Sequence, residues 1–308
     1  MLKMIQSTIQ MSYENTVQSF KNAFRRGTIE ATIWERIGFV GSLLIMLVVA
    51  LFPFYIMTLT SVLPDRELYS IPPQLVPVLD NLTLDHYQAV LGPETFPFVQ
   101  YMLNSLFVAG IAAGVGVGVA MFGGYSFARL QYPGQEIVSR LVLVVYLFAG
   151  ILLVVPLFQI MVSIQLVDTL YSLLITYLVK VLPLSLYMLG NYFRSIPEEI
   201  EEAALIDGYS RVETIFRVTF PLSAPGIAAV YLYGFMISWN EYLFASIFLQ
   251  SRGMYTLPIG IESLTLSFHN IWGQIMAASL LTSLPIIVMF LYLEKFMIEG
   301  LTHGAVEG

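Results

Sequence analysis

The sequence predicts an all-α polytopic membrane protein with six transmembrane helices, and three observations carry this. Of 308 residues, 57% are hydrophobic and 11% are charged, with a mean hydropathy of +0.77, whereas a soluble domain carries about 25% charged residues. So little charge cannot cover a water-soluble globule of this size, which excludes a soluble enzyme. Second, six apolar segments are each long enough to cross a hydrocarbon layer, a task that needs about 20 residues. They are residues 37–63, 98–128, 141–164, 170–193, 225–249 and 273–293. Third, stretches such as 43–51 and 141–147 lack the polar–apolar alternation of an outer-membrane barrel strand.

Composition removes further classes. The 21 Phe and 18 Tyr are too many for a disordered chain. Cysteine is absent, which rules out a disulfide framework, a thiolate nucleophile and a thiolate-held metal. His86, His269 and His303 match no ligand spacing, so no metal and no cofactor are expected. The formal net charge of −7 argues against nucleic acid as a partner.

Orientation follows from the basic residues, which favour cytoplasmic segments. With the N-terminus inside, Lys3, Lys21, Arg25, Arg26, Arg36, Arg129, Arg140, Arg194, Arg211, Arg217 and Lys295 fall on the inner side. Only Arg66 and Arg252 fall outside, and Lys180 lies within a span. Both termini are therefore expected in the cytoplasm. Residues 1–33 form a tail without an apolar run long enough for a signal-peptide core. In it Tyr13, Val17, Phe20 and Phe24 recur at helical spacing beside Lys21, Arg25 and Arg26; an interfacial helix and a loosely ordered tail both fit. Residues 34–308 form the transmembrane domain.

The loops differ in character. The outer loop 64–97 carries Pro64, Pro72, Pro73, Pro77, Pro93 and Pro97, and its stretch 82–91 predicts a short helix. A structured external loop of that length suits contact with an outside partner. The loop 250–272 is also sizeable. Within the inner loop 194–224, Ser195 and Glu198 have capping-box spacing with Pro197 in the first turn. A helix is expected from there to Asp207, stopping at Gly208 in a left-handed cap. Ser210 and Glu213 repeat the spacing and predict a second helix that ends before Pro221. Glu198, Glu199, Glu201, Glu202, Asp207 and Glu213 suit contact with a soluble partner, or simply make a solvated acidic face.

The run Glu202-Ala203-Ala204-Leu205-Ile206-Asp207-Gly208, followed after nine residues by Val218-Thr219-Phe220-Pro221, resembles the EAA signature of ABC-importer permeases. The usual form ends Ile-x-Leu-Pro, so Val218 and Phe220 are apolar departures. Asn104-Ser105-Leu106, Tyr125-Ser126-Phe127-Ala128-Arg129-Leu130, Trp239-Asn240-Glu241 and the end Gly300-Leu301-Thr302-His303-Gly304-Ala305-Val306-Glu307-Gly308 look like the maltose-transporter-type carbohydrate permeases, the smaller six-helix partner. That family more often has Lys near Glu307. The resemblance covers Trp34 to Gly308.

It implies a type I ABC-importer permease fold with a cytoplasmic coupling helix that fits a cleft on an ATP-binding subunit. Glu202, Ala203, Ala204, Asp207, Gly208, Val218 and Pro221 are then the ATPase-coupling residues. It further implies a second, related permease chain, two ATP-binding subunits, an extracytoplasmic sugar-binding protein, a bacterial or archaeal inner membrane, and inward carriage of a carbohydrate by alternating access. The chain itself would not be an enzyme. None of its four lysines follows a glycine, so it lacks the G-x-x-x-x-G-K-[ST] phosphate loop. An ion-driven carrier often sets several ionisable groups at the midplane, whereas these spans hold only Lys180 and Glu241 away from their ends.

Those two residues, with Trp239 and Asn240, are the candidate translocation pathway. At about 1.5 Å per residue, Lys180 and Glu241 lie about 15 and about 12 Å from the outer ends of their spans, which allows an ion pair if the two helices face each other. Gly110, Gly114 and Gly118 predict a close-packing face on the second span. Pro156, Pro183 and Pro285 fall inside spans, where each can kink a helix.

Overall fold

A computed structural model describes residues 33–70, 76, 79–92, 96–147, 150–265 and 271–303. The tail 1–32 and the end 304–308 lie outside the described residues, so the interfacial helix and the last part of the C-terminal resemblance are not placed. The chain divides into two compact units, residues 1–56 and 57–308. Among the described residues every regular element is helical.

The first unit contributes residues 33–56 of helix α1 (Ile33–Val62), which carries Pro53 inside it. The second holds, besides a few shorter helical turns, α2 (Asp85–Leu91), α3 (Phe98–Arg129), α4 (Gln135–Leu147), α5 (Gly150–Ser163), α6 (Leu170–Ser195), α7 (Glu198–Ile206), α8 (Arg211–Thr214), α9 (Ala224–Trp239), α10 (Leu243–Phe248), α11 (Leu257–Thr265) and α12 (Trp272–His303). The expected helix at 82–91 forms only from Asp85. Thr83 Oγ1 accepts the Asp85 N–H at 3.1 Å and so stands outside the helix.

Four helices, α1, α3, α6 and α12, are long and apolar enough to cross a membrane, and two bent pairs bring the number to six if each is one span. The bent pairs correct the expected third and fifth spans. Helices α4 and α5 meet at 96° across residues 148–149, in place of one helix over 141–164. The expected span 225–249 stops at Trp239 and resumes as α10, and its start is turned 73° from the helical run Arg211–Leu222.

Packing of α3 on α6 organises the interior. A Cβ on Gly124 would lie 2.9 Å from the Gly190 backbone nitrogen, and one on Gly116 would lie 2.8 Å from Val181 Cγ1. Within the chain, the face packed closely on α6 is Gly116, Ala120 and Gly124, whereas Gly110, Gly114 and Gly118 have open space or a single 4.0 Å neighbour beside them. Both rows have small residues every fourth position, and only the partner surface distinguishes them. Helix α9 lies against the same pair, with a Cβ on Gly234 3.0 Å from Val181 and 3.5 Å from Ala113. Pro156, Pro183 and Pro285 sit within α5, α6 and α12.

Candidate functional site

The loop after α6 is a built element. Ser195 does not cap α7. Helix α6 runs through it, its hydroxyl donates back to the Tyr192 carbonyl at 2.7 Å, and Pro197 takes the N-cap position. At the other end of α7, Gly208 has φ +95°, its N–H donates to Leu205 O, and the Tyr209 N–H donates to Ala204 O. This is a Schellman closure, and the left-handed residue it needs is the expected glycine. The second cap forms as expected. Ser210 Oγ accepts the Glu213 N–H at 3.3 Å, and Glu213 accepts from the Ser210 N–H at 3.0 Å. The Ser210 backbone and hydroxyl bonds, in that order, hold the Glu213 carboxyl below the usual carboxylate range.

The helix begun there does not end before Pro221. It widens into a π-helical turn, Ile215–Thr219, and continues as Phe220–Leu222. Proline has no N–H to donate, and the widened turn lets the chain pass it without a break. Pro221 and Phe216 line an apolar cavity of about 490 Å³ beside α3, α9 and α12.

Of the residues assigned to coupling, Glu202, Ala203, Asp207, Gly208 and Pro221 are exposed, Val218 is half-buried and Ala204 is buried. The projecting tip is apolar as well as acidic. Ile206 is 86% exposed, with Tyr209 and Val212 also exposed beside it. Glu201 corrects the acidic-face expectation, because it is turned into the chain. Its Oε1 accepts from Arg129 Nε at 3.0 Å, and its Oε2 accepts from the Tyr125 hydroxyl at 2.9 Å. The Arg129 and Glu201 side chains are only 7% and 11% exposed. Arg129 also donates to the Ile196 carbonyl at 2.6 Å and reaches Glu198 at 3.5 Å. This brace was missed in the sequence. Its only signal was Arg129 standing in a recognisable motif without an identified partner.

Lys180 and Glu241 do meet. Lys180 Nζ lies 3.2 Å from Glu241 Oε1, with the lysine side chain 31% exposed and the glutamate 3%. The break between α9 and α10 explains the acid's position. The Asn240 side chain donates to the Met236 carbonyl at 2.8 Å and closes α9. Glu241 then accepts the Phe244 and Ala245 N–H groups, at 3.1 and 3.3 Å, and opens α10. Trp-Asn-Glu is thus a stop and a start placed back to back. Broken backbone at membrane depth is tolerated where protein or a water-filled cavity satisfies it. Asn240 is exposed, whereas Trp239 is 2% exposed and stacks on Phe235 in the core, so Trp239 packs rather than lines an open surface.

A second group of polar contacts lies at the opposite end of α3. Gln100 Nε2 and Asn104 Nδ2 donate to the Gly253 carbonyl at 2.9 and 3.0 Å. Asn104 also donates to Tyr255 O at 2.9 Å, and Ser105 Oγ accepts the Leu257 N–H at 2.8 Å. Nearby, Asp168 adopts φ +62° and accepts the Gln250 and Ser251 N–H groups at 2.8 Å each, together with the Ser251 hydroxyl. The Ser251 hydroxyl and backbone bonds, joined by that from Gln250, hold the Asp168 carboxyl below its ordinary range. No cluster of potential metal ligands occurs among the described residues.

A helical chain with several segments long and apolar enough to cross a membrane, a capped helical element in a connecting loop and a polar break in a span fits the architecture of an ABC-importer permease. The chain belongs to the family of binding-protein-dependent transport system inner membrane components, whose model matches residues 110–296. It is 44% identical over 89% of its length to 97% of the inner membrane ABC transporter permease protein YcjP of Escherichia coli (strain K12). It is 33% identical over 90% of its length to 98% of the trehalose/maltose transport system permease protein MalG of Thermococcus litoralis. A chain from the crystal structure of a bacterial ABC transporter involved in import of the acidic polysaccharide alginate superposes with a TM-score of 0.73. That match has 20% identity and covers 86% of this chain and 98% of that one. The chain is a multi-pass inner-membrane permease of the sugar and oligosaccharide importer type.

Proposed function

We propose that the chain forms half of the membrane pathway of an ATP-driven carbohydrate importer. It pairs with a related permease chain, docks ATP-binding subunits through α7 and the turn at Gly208, and receives solute from an extracytoplasmic binding protein. The observation that carries this reading is the construction of the α7–α8 element. Glycine closure and capping box fix its shape, the Arg129–Glu201 brace ties it to α3, and an exposed apolar tip at Ile206 is left for a partner to cover. An apolar tip edged by Glu202 and Asp207 suits insertion into a cleft with a basic rim.

Closure of the ATPase pair moves two such elements together, opening the membrane subunits outward. Hydrolysis and separation return them to the inward-open state. The Lys/Arg distribution puts the Arg129 end of α3 and the α7–α8 element on the cytoplasmic side. Lys180 and Asn240, partly exposed at the break in a span, are assigned to the pathway face, with Glu241 holding Lys180 in place.

The test is Gly208→Pro and Glu202→Lys in the assembled transporter. Proline cannot adopt the φ of +95° that closes α7, and lysine reverses charge at the docking face. Both chains are expected in the membrane at normal level with uptake abolished. Normal uptake in both variants would mean that this element does not couple ATP to transport.

A further inference from the structure

Helix α3 is fastened by side-chain hydrogen bonds at both of its ends. At one end, Tyr125 and Arg129 lie one helical turn apart on the same face and share the Glu201 carboxylate, and Arg129 also holds the Ile196 carbonyl. Glu201 and Ala204 form the face of α7 turned to the chain, while Ala203 and Ile206 form the face turned away. A push on the outward face of α7 therefore reaches Arg129 through two bonded groups. At the other end, Gln100, Asn104 and Ser105 make four hydrogen bonds to the backbone of residues 253–257. Asn104 and Arg129 are separated by about 38 Å along the axis at about 1.5 Å per residue.

The helix between these pins is suited to act as a stiff member. Among the four unbroken helices long enough to span, α1, α6 and α12 contain Pro53, Pro183 and Pro285, and α3 contains no proline. Proline is the commonest cause of a sharp helix kink. Of the six glycines in α3, Gly116, Gly123 and Gly124 are held against Val181, Leu186 and Gly190 of α6, while Gly110, Gly114 and Gly118 have open space or a single 4.0 Å neighbour beside them.

We infer that α3 carries the coupling stroke across the membrane as a single strut, with Arg129 and Glu201 as positioning residues at the coupling end and Asn104 and Ser105 as positioning residues at the end that holds residues 253–257. The inference rests on the importer reading above, and it assigns the transmitting element within it. In chemical terms, solute delivery at the outer loop and ATP hydrolysis inside are linked through two sets of hydrogen bonds that never meet.

The experiment uses the complete transporter in proteoliposomes, measuring carbohydrate taken up per ATP hydrolysed at equal amounts of assembled complex. Glu201→Gln removes the charge that holds one pin, and Asn104→Leu removes two of the four hydrogen bonds that make the other. Each single variant is expected to lower that ratio about tenfold, within the range of ordinary coupling between sites, while ATP hydrolysis persists. Because both cuts sever the same strut, the double variant is expected to lose about the same tenfold rather than the hundredfold that independent distant sites give. A residue with only a structural role would reduce assembly and leave the ratio alone. Wild-type ratios in the single variants, or multiplied losses in the double, would overturn the inference. A wild-type complex that shows no ATP-driven uptake would instead overturn the importer reading.

A second measurement does not depend on cutting a pin. The chain has no cysteine, so Glu199→Cys and Met254→Cys can be spin-labelled on this chain alone before it is assembled with its partner subunits. The distance distribution between them is expected to be the same with and without ATP. A shift between the two states would refute a rigid strut, whatever the variants do.

Discussion

Alanine substitutions along α3 discriminate between its two rows of small residues. At Gly124 the added Cβ meets the Gly190 backbone nitrogen at 2.9 Å and Leu189 Cβ at 3.2 Å. No flexible side chain can swing away, so α3 and α6 must separate. Overpacking of that kind costs about 1–3 kcal/mol. At Gly116 the closest atom is Val181 Cγ1 at 2.8 Å, a methyl that can shift slightly, so the cost falls toward the lower end of the same range. At Gly118 nothing lies within 4 Å, and alanine there gains up to about 1 kcal/mol of helix propensity. The expected order of thermal stability in detergent is Gly118→Ala at or above wild type, then Gly116→Ala, then Gly124→Ala, read as the temperature at which half of the protein leaves the monodisperse peak. Gly118→Ala falling as far as Gly124→Ala would refute the assignment of the packing face.

Other expectations follow from the same geometry. Lys180→Met and Glu241→Gln should each reduce the amount of assembled complex, and the double variant should partly restore it. Breaking a buried pair costs about 3–5 kcal/mol, and the 31% exposure of Lys180 places the lysine loss at or below the low end. Normal assembly of Lys180→Met with altered solute selectivity would instead make Lys180 a solute contact. Asp168→Asn should lower the thermal midpoint of the complex by an amount that is constant from pH 5 to 8. The folded pKa is depressed, so the carboxylate's contribution is fully present above the ordinary value near 4 and is lost only as the pH falls through the lowered one. A gap that changes between pH 5 and 8 would show that the clasp depends on another titrating group.

What the sequence made legible was local. The Ser210–Glu213 cap and the left-handed Gly208 depend on residues within four positions of each other, and both formed as expected. The Ser195 cap failed because α6 keeps its register past the end of the apolar run, a matter of tertiary packing that capping-box spacing does not report. Hydropathy runs smoothly enough across residues 225–249 to hide the stop at Asn240, although Asn and Glu together supply both halves of the break. Glu201 is indistinguishable in type from Glu198, Glu199 and Glu202. What sets it apart are Tyr125 and Arg129, 76 and 72 residues earlier. The Lys180–Glu241 pair was within reach because two charges at similar depth in lipid have few alternatives. The choice of the Gly116 row over the Gly110 row was not, since the two have the same spacing.

The central proposal is that this chain forms half of the membrane path of an ATP-driven importer and has no hydrolytic activity of its own. It is tested most directly by reconstituting the chain with its partner permease, ATP-binding subunits and binding protein, and then omitting one component at a time. Uptake of labelled oligosaccharide should require ATP and should vanish when this chain is left out, and the chain alone should hydrolyse no ATP. Uptake that persists without it, uptake driven by an ion gradient in the absence of ATP, or ATP hydrolysis by the isolated chain would contradict the account.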